Sequence, residues 1–227
     1  MAITKKSHIR HGFTIVELLI VIVVIAILAT ITIVAYNGIQ QRATTTKTKS
    51  MVKQAVTALE AYKVVNGHYP EVDDDGLGGE ACLGSGYPGG VCGEVHGCGA
   101  QLDGDIVESA ALNNQLSSFL QSTLPAINFP DFTASLGDGC GATYNGVRYS
   151  VGCYMTIHVS MGTVETLLSH CGDRYQAYDI SYFVQGDVDA CGNTAIDFTD
   201  VYKNFGYEAP DGWRVCYVYG GDVRVEE

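Results

Sequence analysis

Two sets of residues in this chain are placed to do chemistry: one carboxylate inside a long apolar run, and eight cysteines that all follow it. From Phe13 to Ala35 there are twenty-three residues, and Glu17 is the only one charged at neutral pH. Placing a carboxylate a little over one turn inside a membrane helix costs ~2.5 kcal/mol or more, and less near the headgroups. Such a group needs a partner. Just ahead of it, Gly12-Phe13 is a candidate processing junction. A cut there leaves the hydrophobic helix on the mature chain and creates an α-amino group on Phe13. That amine, on a neighbouring copy, is one candidate partner for Glu17. The plainer alternative is a single-span anchor whose Glu17 snorkels to the interface.

The cysteines stand at 82, 92, 98, 140, 153, 171, 191 and 216. In an exported domain they read as a disulfide framework, with 105 pairings open to eight cysteines. No Cys-x-x-Cys occurs and Cys92 and Cys98 lack metal-ligand spacing, so zinc is disfavoured. Asp187-Val188-Asp189-Ala190-Cys191-Gly192 begins like a calcium loop, with acids first and third and Gly sixth. It departs at the fifth place, a Cys, and at the twelfth, where Phe198 replaces a bidentate Glu. Asp73-Asp74-Asp75-Gly76 is a second acidic turn, so Asp73, Asp75, Asp187 and Asp189 are the weak calcium candidates. Ordinary Asp-Gly turn chemistry explains both stretches as well. The six histidines join no carboxylate at His-x-x-x-His or Glu-x-x-His spacing, and neither Gly-x-Ser-x-Gly nor a phosphate loop is present. No catalytic constellation and no cofactor other than calcium is expected.

The elements that carry these residues follow from charge and periodicity. A helix over residues 13–35 rises ~35 Å, enough to cross a hydrocarbon core of ~30 Å. Lys5, Lys6 and Arg10 precede it with no acid among the first twelve residues, so the N-terminus is expected in the cytoplasm and the remainder outside. From residue 36 to about 66 the pattern turns amphipathic. Val52, Ala55, Val56, Leu59 and Tyr62 line one face, and Gln40, Arg42, Lys47, Lys49 and Lys53 fall largely on the others. One helix is therefore expected from Phe13 to about Val65, stopped by Asn66-Gly67 and Pro70. Residues 67–227 form the expected globular head: a Gly-rich loop from Glu71 to Ala100, a helix from about Asp103 to Leu124, then strands. Val147–Val159, Ala177–Val184 and Trp213–Tyr219 read as strands, and Thr163–His170 as either helix or strand. Asn145-Gly146 is a hairpin signal. The fold class is α+β, with an antiparallel sheet on the outer half of the long helix.

Charge is split between these parts. Residues 64–227 hold five Lys/Arg against twenty-three Asp/Glu, a formal −18, whereas residues 1–63 hold eight against two. So acidic a head argues against direct nucleic-acid binding. Ten of the fourteen tyrosines fall between 144 and 219; strand formation accounts for them, and a glycan- or host-surface patch is the functional alternative.

The string Gly12-Phe13-Thr14-Ile15-Val16-Glu17-Leu18-Leu19-Ile20-Val21 resembles the N-terminal signature of type IV pilins and type II secretion pseudopilins. The resemblance implies a leader over residues 1–12, cleavage after Gly12 by a prepilin peptidase, and methylation of the Phe13 amine. It also implies that Glu17 assists polymerisation through the N-terminal helices, by inner-membrane assembly machinery, into a filament at the cell surface. Asn66-Gly67-His68-Tyr69-Pro70 looks like the helix exit of many family members. The apolar run lacks the proline that kinks many of them, and Asn37-Gly38 is the candidate flexible spot instead. A pilus subunit for adhesion, motility or DNA uptake is the leading expectation. The alternatives are a minor pilin or a pseudopilin of a secretion or competence system, and an anchored calcium- or glycan-binding domain that never polymerises. The mature chain is expected to begin at a methylated Phe13. Intact-mass analysis of native material checks this, and a chain still starting at residue 1 or 2 would overturn the processing assignment.

Overall fold

The structure, a computed structural model, describes residues 14–72, 80–87, 97–101, 104–127, 133–134, 142–143, 146–160, 163–169, 175–199 and 212–226. The chain divides into two compact units, Met1–Arg42 and Ala43–Glu227. A single helix, α1 (Ile15–Asn66), starts in the first and ends in the second, close to the expected limits. It runs unbroken through Asn37-Gly38. Its end follows the predicted chemistry. Gly67 adopts φ 83° and its N–H bonds the carbonyl of Lys63 at 2.8 Å, a left-handed stop that Gly allows without a Cβ penalty.

In the second unit a five-stranded antiparallel sheet is built from β1 (Glu80–Cys82), β6 (Arg148–Gly152), β9 (Ala177–Gln185), β11 (Trp213–Gly221) and β10 (Ile196–Asp197), in that spatial order. Three more strands, β7 (Tyr154–Ser160), β8 (Thr163–Ser169) and β12 (Val223–Glu226), form a second sheet ordered β12-β7-β8, with β12 parallel to β7. Two small ribbons pair β2 (Gly97–Gln101) with β3 (Gly104–Val107) and β4 (Thr133–Ala134) with β5 (Ala142–Thr143). β9 is the middle strand, and its first eight residues are all buried, so both of its faces are covered. It lies antiparallel to the outer part of α1. Tyr178 Oη reaches Glu60 at 3.4 Å near one end, and Gln185 N donates to Thr45 Oγ1 at 3.0 Å near the other. Seven strand steps and fifteen helix steps each span about 23 Å, so the two elements match in length. The core between them contains the predicted Val52, Ala55 and Leu59 together with Met51, Ala58, Tyr149, Tyr178 and Ile180.

Several expectations need correction. The helix expected over residues 103–124 contracts to α2 (Ala110–Leu116), and β3 occupies the stretch where it was to begin. Ile106-Val107 is β-branched and pairs with β2, and Ser109 then caps α2 by accepting from Leu112 N at 3.0 Å. The 71–100 segment is not all loop, since β1 joins the large sheet and β2 the ribbon. The strand expected over 147–159 breaks at Cys153, and its halves enter different sheets. The ambiguous 163–170 stretch is strand β8. Asn145 lies outside the described residues, and the strand after it, β6, pairs with β1 and β9.

One bridge, Cys191–Cys216, ties the short 3-10 turn Val188–Cys191 to β11, with Cα atoms 5.5 Å apart. Cys82 and Cys153 are disulfide-bonded as well, and no described cysteine is free. Cys92, Cys140 and Cys171 lie outside the described residues. With 191–216 assigned, Cys82, Cys92 and Cys98 remain on the loop side, and Cys140, Cys153 and Cys171 on the sheet side. Both sets are odd, so if all eight pair within one chain, at least one bridge joins the Gly-rich segment to the β-rich remainder. Closing a loop of ~50–100 residues is worth roughly 4–5 kcal/mol in the chain-entropy model. Non-reducing peptide mapping is expected to show that crossing bridge, and loop cysteines found free or paired only among themselves would refute it.

Candidate functional site

The N-terminal end of α1 is built from four residues that cap it. Thr14 N and Thr14 Oγ1 each donate to Glu17 Oε2 at 2.8 Å, and Glu17 N donates back to Thr14 Oγ1 at 3.2 Å. This reciprocal Thr-x-x-Glu arrangement is a capping box, which satisfies orphan N–H groups at a helix start. Glu17 Oε1 accepts no hydrogen bond among the described residues. The signal was present in the sequence as Thr14-Ile15-Val16-Glu17 before an apolar run, but reading Glu17 only as a charge in need of a partner passes over it. Gly12 and Phe13, the expected processing residues, lie outside the described residues.

Behind the cap, Ile15–Thr32 is long and apolar enough to cross a membrane. Its surface is apolar all round, with Leu18 62 %, Ile25 59 % and Ile31 63 % exposed, so no single face is reserved for the rest of the chain. Its two interior polar residues are silenced locally. Thr30 Oγ1 bonds the carbonyl of Ile27 at 2.7 Å, and Thr32 Oγ1 that of Ala29 at 2.9 Å, as a lipid or filament interior requires.

In the second unit the outer end of α1 is fastened by tyrosines. Tyr69 Oη donates to Glu60 Oε1 at 2.9 Å, and the Lys63 ammonium sits 4.4 Å from the centre of the Tyr69 ring. Tyr149 Oη donates to the Pro70 carbonyl at 3.1 Å. Burial pushes the hydroxyls of Tyr69, Tyr149 and Tyr178 up from their ordinary range, so all three stay neutral donors. These tyrosines are core, which accounts for part of the aromatic enrichment.

The opposite face of the sheet carries a polar cluster. Arg148 on β6 donates to Ser181 Oγ at 3.0 Å, Tyr217 Oη at 3.0 Å and Glu80 Oε2 at 3.4 Å. Asp179, cross-strand from Ser150, shares that face. Its Oδ1 and the Ser150 Oγ are buried without a hydrogen-bond partner among the described residues. Burial, reinforced by Glu80 and opposed by Arg148, pushes the Asp179 carboxyl up from its ordinary 3.8 to about 6.

Asp187 and Asp189 flank and enter the 3-10 turn, both exposed. At the two places where the sequence departs from a calcium loop, Cys191 is in a disulfide and Phe198 is buried in the core. Asp73 and Asp75 lie outside the described residues. Among the described residues no group of three His, Cys, Asp or Glu is placed to hold a metal.

A capped helix that is apolar all round and long enough to cross a membrane therefore leads an α+β head. Residues 8–33 match the family model described as the prokaryotic N-terminal methylation motif. Type II secretion system core protein G of Escherichia coli (strain K12) is 36 % identical over 61 residues, 27 % of this chain and 42 % of that protein. The same-named protein of Pectobacterium carotovorum subsp. carotovorum is 31 % identical over 69 residues, 30 % of this chain and 44 % of that protein. The chain thus spans less than half the length of the curated relatives it matches. No solved structure matches it. Together the motif and these relatives place the N-terminal part of the chain with the type IV pilins and pseudopilins, a structural rather than enzymatic family.

Asp179 supplies a pH prediction. Its raised value means that the folded state holds this proton longer than the unfolded state between pH about 4 and 6, so this group's contribution to stability falls as pH rises through that window. The loss amounts to roughly 3 kcal/mol above pH 6. Denaturation of the detergent-solubilised chain at pH 4 to 7 is expected to show this slope, and Asp179→Asn is expected to remove it.

Proposed function

We propose that this chain is a structural subunit of an extracellular type IV pilus-like filament, polymerising through its N-terminal helix after cleavage at Gly12-Phe13. The observation that carries the reading is the helix Ile15–Thr32, apolar on every side and exposed throughout, with one carboxylate at its head. Such a surface is compatible with lipid before assembly and with a bundle of identical helices afterwards. Glu17 Oε2 caps its own helix, and Oε1 is the atom for the α-amino group of Phe13 on a neighbouring copy. The head contributes folding and surface, not catalysis. Adhesion, motility or DNA uptake would then depend on what that surface meets. A pseudopilin role in a secretion system is the second reading, favoured by the names of both relatives. A calcium ion at Asp187 and Asp189 is not part of either reading.

Glu17→Ala is expected to leave export and head folding intact while abolishing sheared surface filaments in electron micrographs. Glu17→Gln keeps an oxygen for the cap and loses the charge, so it is expected to fail as well. Filaments at wild-type abundance from the Ala variant would show Glu17 to be an anchor residue only. Filaments from the Gln variant alone would assign the requirement to the cap.

A further inference from the structure

Between Glu17 and Glu60 the sequence has no acidic residue, yet it holds Arg42, Lys47, Lys49 and Lys53. Lys49 and Lys53 are one helical turn apart and share a face, and Arg42 lies two turns before Lys49 on the same line. Like charges at i,i+4 disfavour a helix by a few tenths of a kcal/mol, and no carboxylate at i±3 or i±4 offsets them. In the second unit Lys47 and Lys53 are exposed and Lys49 is half-buried, and none of the three makes an ion pair among the described residues. The buried positions Thr48, Met51, Val52, Ala55 and Leu59 occupy the side of α1 turned to the sheet. The Lys49–Lys53 line is turned away from it. Although the head is formally −18 over residues 64–227, its described carboxylates make no ion pair with Lys47, Lys49 or Lys53.

Carboxylates of the right kind exist at the other end of a short offset. Asp187 and Asp189 are exposed and have no side-chain partner among the described residues. They follow β9 directly, and the Gln185–Thr45 hydrogen bond sets them at or beyond the level of Thr45. Lys49 and Lys53 are four and eight residues further along α1, a rise of about 6 and 12 Å. A second copy displaced along the helix axis on the order of 10 Å brings its Asp187 and Asp189 level with them. We infer that the basic face of α1 at Lys49 and Lys53 is a docking surface for the Asp187–Asp189 turn of a second copy of this chain. This rests on the filament reading and deepens it. The apolar helices supply the bulk of the contact, and the charge match sets the axial register between neighbours.

Sheared wild-type filaments are treated with a carbodiimide, which joins carboxylates to amines only at ion-pair distance, and mapped by mass spectrometry. Crosslinks from Lys49 or Lys53 to Asp187 or Asp189 are expected. Filament yield is then measured for K49E/K53E, for D187K/D189K, and for the four changes together. Each single-side reversal is expected to lower the yield on the order of tenfold, and the combination to restore it. Absence of those crosslinks in filaments, or a combination no better than either half, overturns the inference while leaving the filament reading intact. Loss through the lysines alone, unaffected by the aspartates, assigns the basic face to anionic lipid headgroups and also overturns it. Failure of wild-type cells to make filaments overturns the filament reading, and this inference with it.

Discussion

The constraint on which this molecule depends is that the helix Ile15–Thr32 has nothing among the described residues of its own unit to lie against. A soluble helix reserves one stripe for a core and turns a polar face to water. Here Leu18, Leu19, Ile20, Ile22 and Leu28 point to all sides of the helix and are all more than half exposed. Each fully buried aliphatic side chain is worth about 1.5–3 kcal/mol relative to water, so the segment is intolerable in solvent and must be covered from outside. The backbone can accept that cover because it is helical throughout, and Thr30 and Thr32 have returned their hydroxyls to it.

The opposite requirement governs the other unit, where the outer helix must hold one position against the sheet. Sequence periodicity supplies the apolar face, but the fixed position comes from a polar and steric joint at the helix exit. Gln176 carries much of it. Its N–H bonds the Gly152 carbonyl at 2.7 Å, its own carbonyl accepts from Asp222 N at 3.0 Å and Lys63 Nζ at 3.3 Å, and its Nε2 reaches the Gly67 carbonyl at 2.9 Å. The last turn of α1 and the junctions β6–β7 and β11–β12, where the chain passes between the sheets, thereby meet at one residue, which itself leads into β9. The approach is close enough that a Cβ on Gly221, at φ 87°, would stand 2.0 Å from the Gln176 carbonyl oxygen and 2.7 Å from the Tyr69 ring. Only glycine fits there.

Legibility in the sequence tracks how local each determinant is. The limits of α1 could be read because composition, Asn66-Gly67 and Pro70 act within a turn of themselves. β9 and β11 could be read from their Tyr- and Val-rich runs. The stretch 103–124 departs from its helical periodicity because Ile106-Val107 gains its strand from β2, a partner that periodicity does not reveal. Cys153 looked like the middle of one strand, and only the second sheet shows it to be a corner. Asp179 was invisible as a site. In Ala177-Tyr-Asp-Ile-Ser-Tyr, alternation makes Asp and Ser the solvent face, and nothing local says that this face is covered too. The calcium pattern shows a different limit: the sequence marks the cysteine at its fifth place, and the structure adds that this cysteine is held in a bridge to Cys216.

Glu17 joins the two constraints, and its two oxygens divide the work. An isolated carboxylate in an apolar medium is costly enough that a chain waiting in the membrane would resist insertion or neutralise the group. The capping box removes much of that penalty within one chain, because charge-assisted bonds from Thr14 N and Oγ1 fall on Oε2 alone. A subunit can therefore wait as a monomer. On the filament reading, the same box leaves Oε1 open among the described residues, for the positive amine that a cleaved neighbour would present. Coulomb attraction between the two grows as water is excluded by packed helices. Such a pair would be weak at first encounter near the headgroups and strong once a bundle closed around it. On the filament reading, that ordering lets one residue tolerate the membrane and still favour assembly, which neither a fully satisfied nor a fully bare carboxylate would do.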